Sequence, residues 1–327
     1  MTITKQLPKF SGLLLGWLLF GFSVAPVSAL VDFPIGYVSK GGTYAFIALI
    51  EQQRLLEQEG IRPAFIYIGG PQISQTLIAG DIRMAIVAAA SPVRAAAHGA
   101  PMQFVGSAID REVLALISNP KIRSPESLKG ARLAIDRFGD YTDFLARKVL
   151  ERFGLQPQKD VFLVQIGSQT SRFAAVKSGQ VHATFVAPPL TLVAEKAGLY
   201  KLADLGDLGF PSSSASMVVL RQTTEQYSKE VYAVLRAIAK ALRIFKTDKE
   251  AAIGALSRFM RLNDPEALEE TRRVHAKFYK NIPAPSADGI KAVQDFLGQT
   301  DSDVRRLTTE RLIDTQFTDR LERELGK

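Results

Sequence analysis

The chain of 327 residues contains no cysteine. That excludes disulfides, thiol nucleophiles, thiolate metal sites and an acylated N-terminal cysteine. Histidine is almost as scarce, with three in the whole chain. His98 and His182 fall at a helix end and a strand start, and His275 falls on a late polar helix. No pair has metal-ligand spacing and no Ser-His-acid set can be read, so structural roles are expected for all three. Beyond residue 24 no run is apolar enough to span a bilayer, which takes about 20 residues. There is no low-complexity tract and no long linker. Gly69-Gly70-Pro71 fits neither a dinucleotide nor a P-loop signature. Lys and Arg are spread along the chain rather than clustered, which reads as a mildly basic surface and not a nucleic-acid footprint.

What is present begins with an export signal. Lys5 and Lys9 precede the uncharged apolar stretch 11–24, and Pro26-Val27-Ser28-Ala29 offers small or branched residues to a signal peptidase. Cleavage is expected after Ala29; a retained anchor is the alternative. Removing residues 1–29 from 327 leaves 298, and the formal charge falls from +8 to +6 with Lys5 and Lys9. An exported chain without cysteine reads as a free periplasmic protein of a Gram-negative bacterium.

The chain also contains itself twice. Residues 77–99 match residues 176–198 at an offset of 99, placing Gly80 on Gly179, Ile82 on Val181, Val87 on Val186 and Gly99 on Gly198. Upstream, at an offset of 98, Ile68-Gly69-Gly70 falls on Ile166-Gly167-Ser168, and Gly41 on Gly139. A period of about a hundred residues is too long for a solenoid, so it predicts two similar α/β lobes with a cleft between them.

Apolar runs predict strands at Val31–Tyr37, Ala64–Ile68, Met84–Val87, Phe104–Ile109, Val113–Ile117, Arg132–Ile135, Val161–Ile166, Ala183–Val186 and Ser216–Leu220. Val113–Ile117 crosses into the second lobe and Ser216–Leu220 returns. Helices are expected over Thr43–Gln58, from Pro71 to Gly80, from Ser91-Pro92 to Gly99, from Thr142 to Phe153, and after Gly167-Ser168 and Ala187-Pro188-Pro189. Ser124-Pro125-Glu126 opens a short one. Lobe one spans 30–115 plus 216–327, and lobe two spans 116–215. The tail is helical and expected to pack on lobe one. Val231, Val234, Leu235, Ile238, Leu242 and Phe245 form one apolar face, Thr247 with Glu250 resembles a capping box, and Asp264-Pro265-Glu266 starts a helix.

In open α/β sheets, ligands sit at the carboxyl ends of the strands. The candidate binding turns of lobe one hold Ser39, Lys40, Gly41, Gly42, Thr43 and Tyr44, then Gly69 and Gly70, then Ala89 and Ser91. Those of lobe two hold Arg137, Gly139, Asp140 and Tyr141, then Gly167 and Ser168, then Ala187 and Pro188. Each turn leads into a helix whose N-terminal amides attract an anion. Arg137 is the preferred charged contact, Lys40 a weaker one, and Asp140 could be a helix cap. Tyr44 and Tyr141 either wall the cleft or pack in a core. Arg111 faces the hinge or water.

The run Ser124-Pro-Glu-Ser-Leu-Lys-Gly130 with Arg132-Leu-Ala-Ile135 resembles a recurrent passage of bacterial solute-binding proteins. Arg137-Phe-Gly-Asp140, Gln165-Ile-Gly167, Arg172-Phe-Ala-Ala-Val176, Ser178-Gly-Gln-Val-His-Ala183 and Pro188-Pro189 resemble the rest of that second lobe. Leu77-Ile-Ala-Gly-Asp-Ile-Arg-Met-Ala85 resembles a phrase of the first, with Arg83-Met84 where an acid is usual. Together they look like the nitrate/sulfonate/taurine branch of ABC-transporter substrate-binding proteins, related to thiamine-pyrimidine synthesis proteins. The resemblance implies a type II periplasmic-binding fold with two hinge-crossing strands. It implies a monomer that is not an enzyme, uses no cofactor, binds a small-molecule ligand and serves an ABC permease in the inner membrane. Alternatives are a binding subunit of a TAXI-type tripartite carrier, a sensor subunit, and a pyrimidine-synthesis-like enzyme; the missing cysteine and the export signal weigh against the enzyme.

Overall fold

A computed structural model describes residues 1–2, 30–70 and 72–325, so the expected export signal and Pro71 lie outside the described residues. The strands in chain order are Val31–Asp32 (β1), Ile35–Tyr37 (β2), Ile61–Arg62 (β3), Phe65–Tyr67 (β4), Met84–Val87 (β5), Met102–Ser107 (β6), Ala115–Ser118 (β7), Arg132–Ile135 (β8), Phe162–Gln165 (β9), Ala183–Val186 (β10), Tyr200–Asp204 (β11) and Ser216–Leu220 (β12). Two five-stranded sheets run β4-β2-β5-β12-β6 and β9-β8-β10-β7-β11, with β1 and β3 paired apart. The two orders are the same order: β4 answers to β9, β2 to β8, β5 to β10, β12 to β7 and β6 to β11. The repeat seen in the sequence is thus a repeat of topology.

One strand of each sheet is exchanged. After β6 the chain leaves the first sheet and enters the second as β7, antiparallel to β10 and β11. After β11 it returns as β12, antiparallel to β5 and β6. The two crossing segments pair with each other, Glu112 N–H donating to Phe210 O and Ser212 N–H to Asp110 O, both at 3.0 Å. Arg111 sits in this paired hinge opposite Pro211.

Helices α1 (Phe46–Gln52), α2 (Ile73–Ala79), α3 (Ala90–Ala97), α4 (Tyr141–Arg152), α5 (Gln169–Lys177) and α6 (Leu190–Lys196) connect the strands. The tail adds α7 (Arg221–Gln226), α8 (Ser228–Thr247), α9 (Lys249–Met260), α10 (Pro265–Phe278), α11 (Ala287–Leu297), α12 (Ser302–Arg306) and α13 (Gln316–Leu325). The expected apolar face of α8 is buried throughout, in one core with β2, β5 and α1. At about 25 cal/mol per Å² of apolar surface removed from water, this face is a main source of lobe-one stability.

Three local expectations are corrected. Val31–Tyr37 is two strands, because Pro34 lacks the N–H a continuous ladder needs. The helix expected over Thr43–Gln58 breaks after Gln52, with Arg54 at φ 51° and Gly60 at φ 79°. After the break Leu55 and Leu56 are both buried in the lobe-one core. Thr247 is not a cap: its hydroxyl bonds back to Arg243 O within α8, and Asp248 caps α9 by accepting Ala251 N–H at 3.0 Å.

The tail helices do not pack on lobe one alone. Phe296 of α11 meets Phe144 of α4, ring centroids 5.1 Å apart. From α10, Glu270 accepts the Thr191 hydroxyl of α6 at 3.2 Å, and Lys277 ion-pairs with Asp207. The reassigned cap gives a direct test. Asp248→Ala is expected to cost about 1 kcal/mol in denaturant unfolding and Thr247→Ala close to nothing, the reverse of what the capping-box reading requires.

Candidate ligand cleft

A cavity of about 980 Å³ opens between the lobes at the strand ends. Lobe one lines it with Val38 and Ser39, directly after β2. Lobe two lines it with Asp136, Arg137 and Asp140 after β8, with Gln165 through Gln169 after β9, and with Arg172. Of the residues singled out in the sequence, Ser39, Arg137, Asp140, Gly167 and Ser168 are therefore on the wall.

Two arginines, Arg137 and Arg172, line the wall, and they are held differently. Arg137 is 69% exposed and already paired with Asp140, Nε to Oδ2 3.0 Å. That ion pair also takes the Asp140 side chain away from capping α4, where it stands at the N-cap without a cap bond. Arg172 is buried, its Nη1 donating to Gly167 O at 2.5 Å and its Nε to Thr184 Oγ1 at 3.1 Å. Burial lowers its pKa and the charge of Asp136 raises it. Its one sequence signal is an arginine placed four residues after the Ser168 cap, among small apolar neighbours on the inward face of α5.

Around Arg172 the polar groups are held rigidly. Ser168 caps α5 by accepting Ser171 N–H at 3.1 Å. Gln169 Oε1 accepts Ala187 N–H at 3.0 Å, which commits the carbonyl and leaves the amide NH₂. Asp136 Oδ1 accepts Arg137 N–H at 2.7 Å and the Thr142 hydroxyl at 2.6 Å, while its Oδ2 accepts nothing among the described residues. Gly139 and Gly167 have φ of +79° and +92°, and a Cβ built on either meets nothing within 4 Å. These glycines are required for backbone conformation and not for close approach. Gly41, matched to Gly139 in sequence, has an extended φ of −78°, so that pairing is not structural.

The rest of the lobe-one turn faces away from the cavity wall. Lys40 lies over the Tyr67 ring at 5.4 Å, and Gly41 N–H donates to Ser39 Oγ at 3.0 Å. Gly42 is pressed on α10, where a Cβ would stand 2.7 Å from His275 Cε1 and from Thr271 Cγ2. Thr43 Oγ1 bonds His275 Nε2 at 3.1 Å. Tyr279 donates to Gly42 O at 2.8 Å. Tyr44 is buried and donates to Ser214 O at 2.5 Å, and Tyr141 donates to Glu112. Both tyrosines are thus tied to the hinge, and neither lines the 980 Å³ cavity; Tyr141 lines a smaller pocket with Ala90 and Arg94 of lobe one. Gly69 O accepts Gln72 N–H, and Gly70 is exposed with open space around it. Ala89 and Pro188 are buried, and Ser91 bonds the Ser74 hydroxyl at 2.6 Å. These residues shape the turns without lining the cavity.

No group of three or more His, Cys, Asp or Glu could hold a metal among the described residues. His182 Nδ1 accepts Arg132 N–H at 2.8 Å, and His98 lies 4.0 Å from Asp303. His275, fully buried beneath the Gly42-Thr43 turn, has its pKa pushed down by burial from 6.5 to about 4. Its folded pKa is the lower one, so its contribution to stability is complete above about pH 6.5 and is lost as pH falls toward about 4. An NMR titration should find the His275 ring neutral until about pH 4; a ring that protonates near the ordinary 6.5 would contradict this burial.

Comparison with known proteins agrees with this architecture. The model of the family described as NMT1/THI5 like matches residues 55–252. A curated Escherichia coli (strain K12) protein assigned to aliphatic-sulfonates binding is 26% identical over 251 residues, covering 75% of this chain and 76% of its own. The periplasmic sulfonate-binding protein of a sulfonate ABC transporter from Methylobacillus flagellatus KT superposes with TM-score 0.75 at 18% identity, over 92% of this chain and 96% of the other. The alkanesulfonate-binding protein of Xanthomonas axonopodis pv. citri, bound to MOPS, gives 0.67 at 22% identity, over 88% and 99%. All three relatives are binding proteins, and the one from Methylobacillus flagellatus KT is part of an ABC transporter. With its matched sheets, exchanged strands and cleft at the strand ends, the chain belongs to the NMT1/THI5-like family and has the periplasmic-binding-protein fold.

Proposed function

We propose that the chain captures a small organic anion in the periplasm and presents it to an ABC importer permease. The observation that carries this reading is the imbalance of hydrogen-bonding capacity in the cavity. Ser39 keeps its hydroxyl proton, since its oxygen accepts Gly41 N–H. Gln165 and Gln169 have committed their carbonyls, to Phe138 N–H and Ala187 N–H, and keep their amide donors. Arg172 and the first amides of α5 add further donors. Against these stand two carboxylate oxygens that accept nothing among the described residues, Asp136 Oδ2 and Asp140 Oδ1, the second on a carboxylate already paired with Arg137. An acceptor-rich group such as a sulfonate or carboxylate is what such a wall satisfies.

The mechanism is conformational. A ligand that touches Ser39 on one lobe and Gln169 and Arg172 on the other gains both sets of bonds only when the lobes are together, so it shifts the population toward the closed form. Arg172 is held by Thr184 and Gly167 before ligand arrives, so little side-chain entropy is lost on binding. The sulfonate- and alkanesulfonate-binding relatives support an oxoanion as the cargo, and the periplasmic one from Methylobacillus flagellatus KT supports the periplasm as the place of action. A closed form that differs in shape from the open one is what a permease would read.

The test is a thermal-shift screen of residues 30–327, unfolded and refolded to strip carried ligand, against ethanesulfonate, nitrate and benzoate. A ligand at about 100 times its Kd should add about 2.7 kcal/mol of stability. Arg172→Met should weaken the responding anion at least about tenfold. Arg137→Ala should leave it nearly unchanged, because Arg137 is exposed and already paired. No shift with any anion from a refolded protein would overturn the reading.

A further inference from the structure

Glu112 lies in the first crossing segment, 2% exposed, where the two crossings pair. Its carboxylate meets neutral donors only. Oε1 accepts Val113 N–H at 3.0 Å, Oε2 accepts the Tyr141 hydroxyl, and Leu114 N–H and the Ser212 hydroxyl are also within reach. Around it, α4 contributes Tyr141, the second crossing Ser212, and the lobe-one turn Tyr44, whose field reaches Tyr141. From α10, Phe278 closes over Gly206 and the Glu112 carbonyl. Asp110 and Arg111 flank it on its own segment, with Lys280 nearby. No cation pairs with Glu112 among the described residues.

The arrangement is reciprocal. Tyr44, at the end of the lobe-one turn, grips the second crossing at Ser214. Tyr141, at the end of the lobe-two turn, grips the first crossing at Glu112. Each turn that precedes a cleft helix is therefore tied to a hinge segment, and a rotation of the lobes works against both ties. A structural core would be served by an apolar residue at position 112. A buried carboxyl without a cation is instead a group whose preference for water depends on its proton.

We infer that Glu112 and Tyr141 are a positioning pair that couples the lobe-two turn to the hinge, and that the pair is proton-dependent: a protonated Glu112 favours the packed hinge and an ionised one favours its opening to water. Burial raises the pKa of Glu112, and the Tyr141 hydrogen bond opposes that rise. The protonated form is thus the one the packed hinge prefers, and this preference is lost as pH rises through the raised pKa. The coupling goes beyond the proposed capture of an anion and does not depend on the identity of the ligand.

The absence of cysteine makes the test clean. Ala79→Cys at the end of α2 and Lys177→Cys at the end of α5, both exposed, place one fluorophore on each lobe, and energy transfer reports their separation without ligand. As pH rises through the raised pKa of Glu112 the labels should move apart. Glu112→Gln, which mimics the protonated acid, should hold the low-pH separation throughout. Tyr141→Phe removes a bond that favours the ionised form, so it should move the midpoint to higher pH, a readout that a merely structural tyrosine would not shift. A separation independent of pH in the unmodified protein, or a pH response unchanged by Tyr141→Phe, would overturn the proposal. Because no ligand is added, that failure is distinct from a failure of anion capture.

Discussion

The structure depends on one constraint: each sheet borrows a strand from the other half of the chain. β7 and β12 are both flanked on two sides, so neither lobe completes its sheet without the crossing. The crossings must then lie side by side, and the backbone bonds between Asp110–Glu112 and Phe210–Ser212 fix them there. That ladder is short and irregular beside the sheets it joins, which makes it the place where lobes can turn. Everything at the strand ends, cleft and turns alike, is referred to this pair of segments.

The two halves share a topology but not a chemistry. The lobe-two wall is polar, conformationally fixed and built around a buried arginine. The corresponding lobe-one turn is spent on packing, with Gly42, Thr43 and Tyr44 seated on α10 and the second crossing. Lobe one therefore offers Ser39 and Val38 to the cavity and little else. In the proposed capture, lobe two would supply most of the binding groups and lobe one would complete the enclosure. The formal charges of the wall cancel, Asp140 against Arg137 and Asp136 beside Arg172, so the proposed anion is favoured by the surplus of hydrogen-bond donors and not by net charge.

Much of the fold was legible because it is written in punctuation. Gly80 and Gly179, and Gly99 and Gly198, hold left-handed conformations in equivalent places, so the spacing of glycines reported the repeat directly. The strands β5 and β10 followed from short apolar runs, and the apolar face of α8 from its helical spacing. The errors came at element ends: the helix after β2 stops at Gln52, short of the Gly60 that punctuates the segment, and Asp248 displaced Thr247 as a cap. The cleft was legible as a place and less so as a set of residues. Turn position singled out Ser39, Gly167 and Ser168, but Arg172 reaches the wall from inside a helix, and Asp136 and Gln165 from strand ends. Glu112 went unmarked because Asp110-Arg111-Glu112 between two apolar runs looks like any polar connector until the other crossing is laid against it.

The most direct measurement is a co-crystal structure of the refolded chain with ethanesulfonate. The account predicts the sulfonate between the lobes, with oxygens in hydrogen-bond reach of Arg172 and Gln169 on one side and Ser39 on the other. A sulfonate held by one lobe alone, or bound at a site away from Arg172, would contradict it.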